Sequence, residues 1–118
     1  MQTLINEDVW HELVSLEEIN PGILKDIIEI FQSASPKVQE DLKMAAQKSD
    51  FKILVEKAHS FKSSCNSIGA LDLAEQLNQI ENDAKKLAPT LDLKLLEKVL
   101  THIKLVSAEL EIRRNFKS

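Results

Sequence analysis

A chain of 118 residues, 43% apolar and 29% charged with a net charge of −4, has the size and balance of one water-soluble domain. Two glycines, three prolines and no tyrosine leave little turn chemistry for β-hairpins, and the acidic balance argues against a basic nucleic-acid binder. A single cysteine, Cys65, excludes an internal disulfide; no leader and no long uncharged apolar run point to export or membrane insertion, so the cytoplasm is the expected compartment.

Taken in chain order, the predicted elements are all helical. "INEDVWHELVSLEEI" has Asn6 as an N-cap, acids in its first turn, and Ile5, Val9, Leu13 and Leu16 near helical spacing, which predicts a short first helix. After the "NPG" break at Asn20 to Gly22, an apolar stripe runs through Leu24, Ile27, Ile28, Phe31, Val38, Leu42 and Ala45, giving one long helix with a kink expected at Pro36. Ser49 and Asp50 cap a third helix that ends at Ile68, with Gly69 as a left-handed C-cap. A fourth carries Leu73, Leu77, Ile80, Ala84 and Leu87, and Ala88 to Thr90 break it. The fifth carries Leu96, Val99, Ile103, Val106 and Leu110. Seams spaced by four and three on helices joined by short loops predict an all-α fold over residues 1–118, an up-and-down antiparallel four-helix bundle with an additional short N-terminal helix.

Within the third helix, "AHSFKSSCNSIGA" places a histidine on the polar side. At about 100° per residue, with His59 as zero, Ile53, Leu54, Phe61, Cys65 and Ile68 fall on the opposite face. Lys62 and Ser63 lie one turn ahead on the histidine's own face, Asn66 two turns ahead, and Lys52, Val55 and Glu56 behind it. Lys57 projects toward the core side and is the misfit of the wheel. A solvent-facing neutral imidazole is a competent nucleophile near pH 7, and a cation one turn away can hold an anionic group transferred onto it. Read locally, the same pattern also fits an ordinary surface histidine on a structural bundle.

The stretch resembles the signature of histidine phosphotransfer (HPt) domains, an exposed helical histidine followed by lysine three positions on and glycine ten positions on: His59, Lys62 and Gly69. "ILKDIIEIFQSASPKVQEDLKMAAQKSDFKILVEKAHSFK" is similar to the family's approach to its histidine, and "LDLAEQLNQIENDAKK" to the helix that follows, so the likeness covers about residues 4 to 110. The resemblance implies that His59 accepts a phosphoryl group, on the ring nitrogen farther from the backbone, from the phospho-aspartate of a receiver domain, and passes it to another receiver's aspartate. It implies that Lys62 offsets phosphoryl charge, that Glu81 on the next helix hydrogen-bonds the other ring nitrogen and fixes its tautomer, and that Gly69 is structural.

Lys52, Val55, Glu56, Ser63 and Asn66 would form the receiver-docking face. Ser63 departs from the glycine common at that position, which bears on affinity and partner choice. The implied partners are response-regulator receiver domains and a hybrid sensor histidine kinase, with no nucleic acid, no membrane and a monomeric chain. No cofactor or metal of its own is expected, Mg²⁺ being supplied by the receiver, and the chain would be a phosphoryl carrier without stand-alone catalysis. The alternative is a non-phosphorylatable adaptor or dimerisation bundle that binds receiver or kinase domains.

The remaining candidates have plainer expectations. His11 and His102 lack a lysine or glycine at matching spacing and form no metal pattern with Cys65, so both are expected at the surface or its boundary. Cys65 should be a buried small apolar residue. Trp10 suits packing of the first helix or a docking surface, and Arg113, Arg114 and Lys117 suit the C-terminal dipole of the last helix.

Overall fold

A computed structural model of the chain describes residues 3–86 and 91–117. Leu87 and the break at Ala88 to Thr90 lie outside the described residues, as does the side chain of Lys117. Among the described residues five helices follow in order: α1 (Glu7–Ile19), α2 (Ile23–Gln47), α3 (Phe51–Ile68), α4 (Leu71–Ala84) and α5 (Leu93–Lys117). Helices α2 to α5 pack in a closed ring, α2 on α3, α3 on α4, α4 on α5 and α5 on α2, while α1 lies against α2 and α3. Consecutive helices joined by short connections and packed as neighbours make an antiparallel four-helix bundle with one added N-terminal helix.

The apolar seams account for the ring. Leu54, Ala58, Phe61, Cys65 and Ile68 of α3, Leu73, Leu77, Ile80 and Ala84 of α4, and Leu96, Val99, Ile103, Val106 and Leu110 of α5 are all buried in one core with Leu24, Ile28, Phe31, Val38, Leu42 and Ala45 of α2. The rings of Phe31 and Phe61 meet at 4.9 Å between centroids, tying α2 to α3. The misfit residue Lys57 is half-buried and carries its ammonium to Asp41 of α2 at 3.7 Å, so its stem covers apolar surface while the charge stays paired.

Helix α2 runs unbroken through Pro36. Its start has no side-chain cap of its own; the Glu17 carboxylate of α1 accepts instead from the backbone N–H groups of Gly22 and Leu24, at 2.8 and 3.2 Å.

Helix α1 is capped by Asn6, whose side chain accepts from the Val9 N–H at 3.0 Å. Ile5 just before the cap and Trp10 in the first turn are both buried, the apolar pair that fixes the angle of entry. The guanidinium of Arg113 lies over the Trp10 ring at 5.0 Å and pairs with Glu7 and Glu109, and Arg114 reaches Glu29 at 3.1 Å. These arginines therefore do more than complement a helix dipole: they fasten α5 to α1 and α2. His102 also departs from its expected surface position. It is 3% exposed on α5, and its Nδ1 meets the amide oxygen of Gln76 on α4 at 2.9 Å.

Gly69 ends α3 in the left-handed region at φ 85°, and the Ala70 N–H returns to the Cys65 carbonyl at 2.9 Å. The Gly69 carbonyl accepts from the Asn6 N–H at 2.8 Å, and a Cβ added there would come within 3.0 Å of the Val9 side chain. Gly22 shares the left-handed backbone but would meet nothing. Gly22→Ala is therefore expected to cost only the backbone term of about 1–2 kcal/mol, and Gly69→Ala more than that, as a lower urea midpoint for the second variant than for the first.

Candidate functional site

His59 stands on α3 with its side chain 65% exposed, presented by a helix whose opposite face is anchored in the core. Its Nδ1 lies 3.2 Å from both carboxylate oxygens of Glu81 on α4. Glu81 itself is 3% exposed, a carboxylate drawn into the α3–α4 seam beside Ile80. Lys62, one turn after His59, places its ammonium 3.0 Å from Glu81 Oε1 and 3.0 Å from the side-chain oxygen of Asn78. Lys85, one turn after Glu81 on α4, donates to Glu81 Oε2 at 2.6 Å.

A buried carboxylate is tolerated only when its charge and its lone pairs are answered. Burial works against ionisation of Glu81, but the hydrogen bonds from Lys85, Lys62 and His59 outweigh it and hold the carboxyl down at about 2. An ionised carboxylate only accepts, so Nδ1 of His59 carries a proton, and in the neutral ring Nε2, the nitrogen farther from the backbone, keeps its lone pair. An exposed imidazole in that tautomer is a nucleophile with an anion behind it to stabilise positive charge on the ring.

Around the histidine, Lys52, Glu56, Ser63 and Asn66 are exposed and Val55 is half-buried. On the α2 side, Ile27, Ile30 and Phe31 with Ser64 and Ser67 line a cleft of about 100 Å³, and Ile30 is 62% exposed at its rim. Cys65 is fully buried, and burial pushes its thiol up to about 12, so it is an inert core group. His11 is exposed on α1. Among the described residues, no group of His, Cys, Asp and Glu side chains is arranged to hold a metal ion, and no helix is long and apolar enough to cross a membrane.

Lys85, Asn78 and Ile30 were not among the residues singled out in the sequence. Asn78 and Lys85 flank Glu81 at three and four residues, the spacings at which helical side chains meet. An isoleucine beyond the apolar seam was the available sign for Ile30.

The family model for the Hpt domain matches residues 26–111, well over half of the chain. The chain belongs to the Hpt domain family. Among curated proteins it is 24% identical over 84 residues to "Phosphorelay intermediate protein YPD1" of Candida albicans, a match that covers 71% of this chain and 46% of that protein. The chain thus spans about half the length of this relative. Among solved structures it resembles histidine-containing phosphotransfer protein B (HptB) from Pseudomonas aeruginosa PAO1, with a TM-score of 0.83 and 23% identity over 98% of this chain and 97% of that one. At that identity the likeness establishes the Hpt domain's helical fold.

The paired carboxylate makes stability pH-dependent in a known sense. Glu81 titrates lower in the folded chain than the ordinary 4.5, so its stabilisation is complete above about pH 4.5 and is lost as the pH falls toward 2. Urea unfolding between pH 6 and 2 is expected to show this acid loss in the wild type. Glu81→Gln should show a shallower slope and stability lower by about 1–3 kcal/mol at neutral pH.

Proposed function

We propose that the chain is a phosphorelay carrier in which Nε2 of His59 takes a phosphoryl group from the phospho-aspartate of one receiver domain and gives it to the aspartate of another. The observation that carries this reading is the exposed imidazole whose Nδ1 is held by the buried Glu81 carboxylate. In the first step the Nε2 lone pair attacks phosphorus, the bond from phosphorus to the aspartyl oxygen breaks, and the carboxylate leaves with the electron pair. No proton has to move, because the Nδ1 proton stays on the ring, donated to the Glu81 carboxylate. The positive charge formed on the ring lies between the phosphoryl group and Glu81, and attack by the second receiver's aspartate on phosphorus restores the neutral ring.

Lys62 offsets phosphoryl charge in this reading. Its ammonium is turned to Glu81 and Asn78 in the free chain, and its four-carbon stem allows it to swing toward Nε2 when the phosphoryl group arrives. The receiver contributes Mg²⁺ and its acidic pocket, and this domain contributes the nucleophile, so the carrier has no catalysis of its own. It works as a monomer in the cytoplasm with response-regulator receivers and a sensor kinase.

A convex site depends on its partner to exclude water. The receiver closes over Lys52, Val55, Glu56, Ser63 and Asn66, and extends across the serine cleft onto Ile27 and Ile30, whose apolar surface lies beside the histidine helix. Ser63 is small enough to leave Nε2 open while adding a hydroxyl near the phosphoryl oxygens.

Two measurements test the reading. Incubation with a panel of phosphorylated receivers and Mg²⁺ is expected to place acid-labile, base-stable label on the wild type and none on His59→Gln. That variant should keep its stability within about 0.5 kcal/mol, as exposed substitutions do. Label persisting on the folded variant, or absent from the wild type with every receiver, would overturn it. Ile30→Glu is expected to weaken receiver-dependent transfer by about tenfold, the effect of losing an interfacial apolar anchor. Direct labelling of His59 by phosphoramidate should be unchanged in that variant.

A further inference from the structure

We propose that Lys85, which lies outside the His59, Lys62 and Gly69 motif, is a positioning residue for His59 that acts through Glu81. The proposal rests on the carrier reading above and names a residue that sets how well the nucleophile is presented.

The geometry is a carboxylate held at both ends. Oε1 of Glu81 receives Lys62 at 3.0 Å and Oε2 receives Lys85 at 2.6 Å, while Nδ1 of His59 sits 3.2 Å from each oxygen, across the middle. With one lysine on each oxygen, the carboxylate plane cannot turn without breaking a charge-assisted hydrogen bond. Without Lys85, Oε2 has the imidazole as its remaining partner, and Lys62 on Oε1 is the one charge-assisted bond that resists rotation about the last torsion, a broad one in glutamate.

Charge leads to the same residue. A lone carboxylate beside an imidazole favours the doubly protonated ring, which has no lone pair on Nε2 and cannot attack phosphorus. One ammonium cancels the carboxylate, and a second reverses the local charge and opposes protonation of Nε2. Lys62 and Lys85 are those two cations, and both answer the carboxylate that accepts from Nδ1–H. If Lys62 swings toward an arriving phosphoryl group, Lys85 is the cation that stays with Glu81.

The other charged groups nearby do not take this role. On α3, Glu56 lies one turn behind His59 and Lys52 two turns behind, both exposed. On α4, Asp83 is paired with Lys86 at 3.0 Å. From α2, Asp41 is engaged by Lys37 at 3.0 Å and by Lys57 at 3.7 Å, on the side of α3 away from His59. Lys85 is the C-cap of α4, four residues after Glu81, where a lysine is favoured both by the glutamate before it and by the helix dipole.

The test uses the full chain as wild type, Lys85→Met, Lys85→Arg, Glu81→Gln and the double variant Glu81→Gln with Lys85→Met. Two quantities are read from pH 5.5 to 8.5: the ¹⁵N shifts of the His59 ring, which report which nitrogens carry protons, and the rate of labelling by phosphoramidate. In that labelling the P–N bond of the donor breaks, ammonia leaves, and a bond from phosphorus to Nε2 forms. Lys85 is 54% exposed, so its influence is screened. Lys85→Met is expected to lower by about twofold both the share of rings with a bare Nε2 at pH 6.5 and the labelling rate there, with the gap closing by pH 8.5. Lys85→Arg should match the wild type, and Lys85→Met should have no further effect once Glu81 is Gln. Identical ring shifts and pH profiles in wild type and Lys85→Met would overturn the proposal, as would a loss that Lys85→Arg fails to restore. Absence of His59 labelling in every form, wild type included, would count against the carrier reading, while the ring shifts would still decide the place of Lys85.

Discussion

One buried carboxylate organises this molecule's working face. Glu81 is removed from water in the α3–α4 seam, and a carboxylate so placed costs several kcal/mol unless cations and donors meet it. The groups that meet it come from both helices: His59 and Lys62 from α3, Asn78 through its bond to Lys62, and Lys85 from α4. Satisfying that charge therefore fixes the register of α3 against α4. It also fixes the proton on Nδ1 of His59, so a requirement of folding and a requirement of nucleophilic chemistry are met by the same hydrogen bonds.

The rest of the bundle keeps that register. Gly69 and Ala70 alone separate α3 from α4, and the left-handed turn at Gly69 is closed from outside by the Asn6 N–H and the Val9 side chain of the α1 entry. Helix α1 is in turn held through Trp10 and Glu7 by Arg113 at the far end of α5. A short N-terminal helix that carries none of the reacting groups thus braces the turn on which the α3–α4 alignment depends. On the carrier reading proposed above such bracing matters, because the nucleophile would have to enter another protein's active site, where small misplacements cost large factors in rate.

Periodicity made much of this legible. The five apolar residues read on the last helix are all buried, and the wheel that put Leu54, Phe61, Cys65 and Ile68 inward left His59 facing out, as it stands. Residue type concealed what spacing would have revealed at His102: it lies three residues after Val99 and four before Val106, squarely on the buried seam, yet an imidazole reads as a surface group. Arg113 and Arg114 read as dipole partners because helix-end charge is a local property, whereas their acids lie on α1 and α2 and become neighbours only in the tertiary fold. Lys85 was hidden for a related reason. Its spacing from Glu81 is evident, but many surface acids have a lysine four residues on, and what distinguishes this pair is that its glutamate turns inward beneath a histidine of another helix.

The contrast between His59 and His102 isolates what makes an imidazole useful here. Both rings lie on long helices, and both engage a side-chain oxygen of α4 through Nδ1. Burial pushes His102 below the ordinary histidine range, with Asp72 partly opposing it, and Nδ1–H donates to the Gln76 amide oxygen, which in the neutral ring leaves the lone pair on Nε2. That Nε2 is buried with no hydrogen-bond partner among the described residues. A free lone pair is therefore not the scarce ingredient. His102 has one that no phosphorus can approach, and its partner, the neutral Gln76, supplies no negative charge to answer a cationic ring. His59 combines access with a carboxylate behind the ring and two cations behind the carboxylate, and its chemistry follows from that sequence of charges running from solvent into the α3–α4 seam.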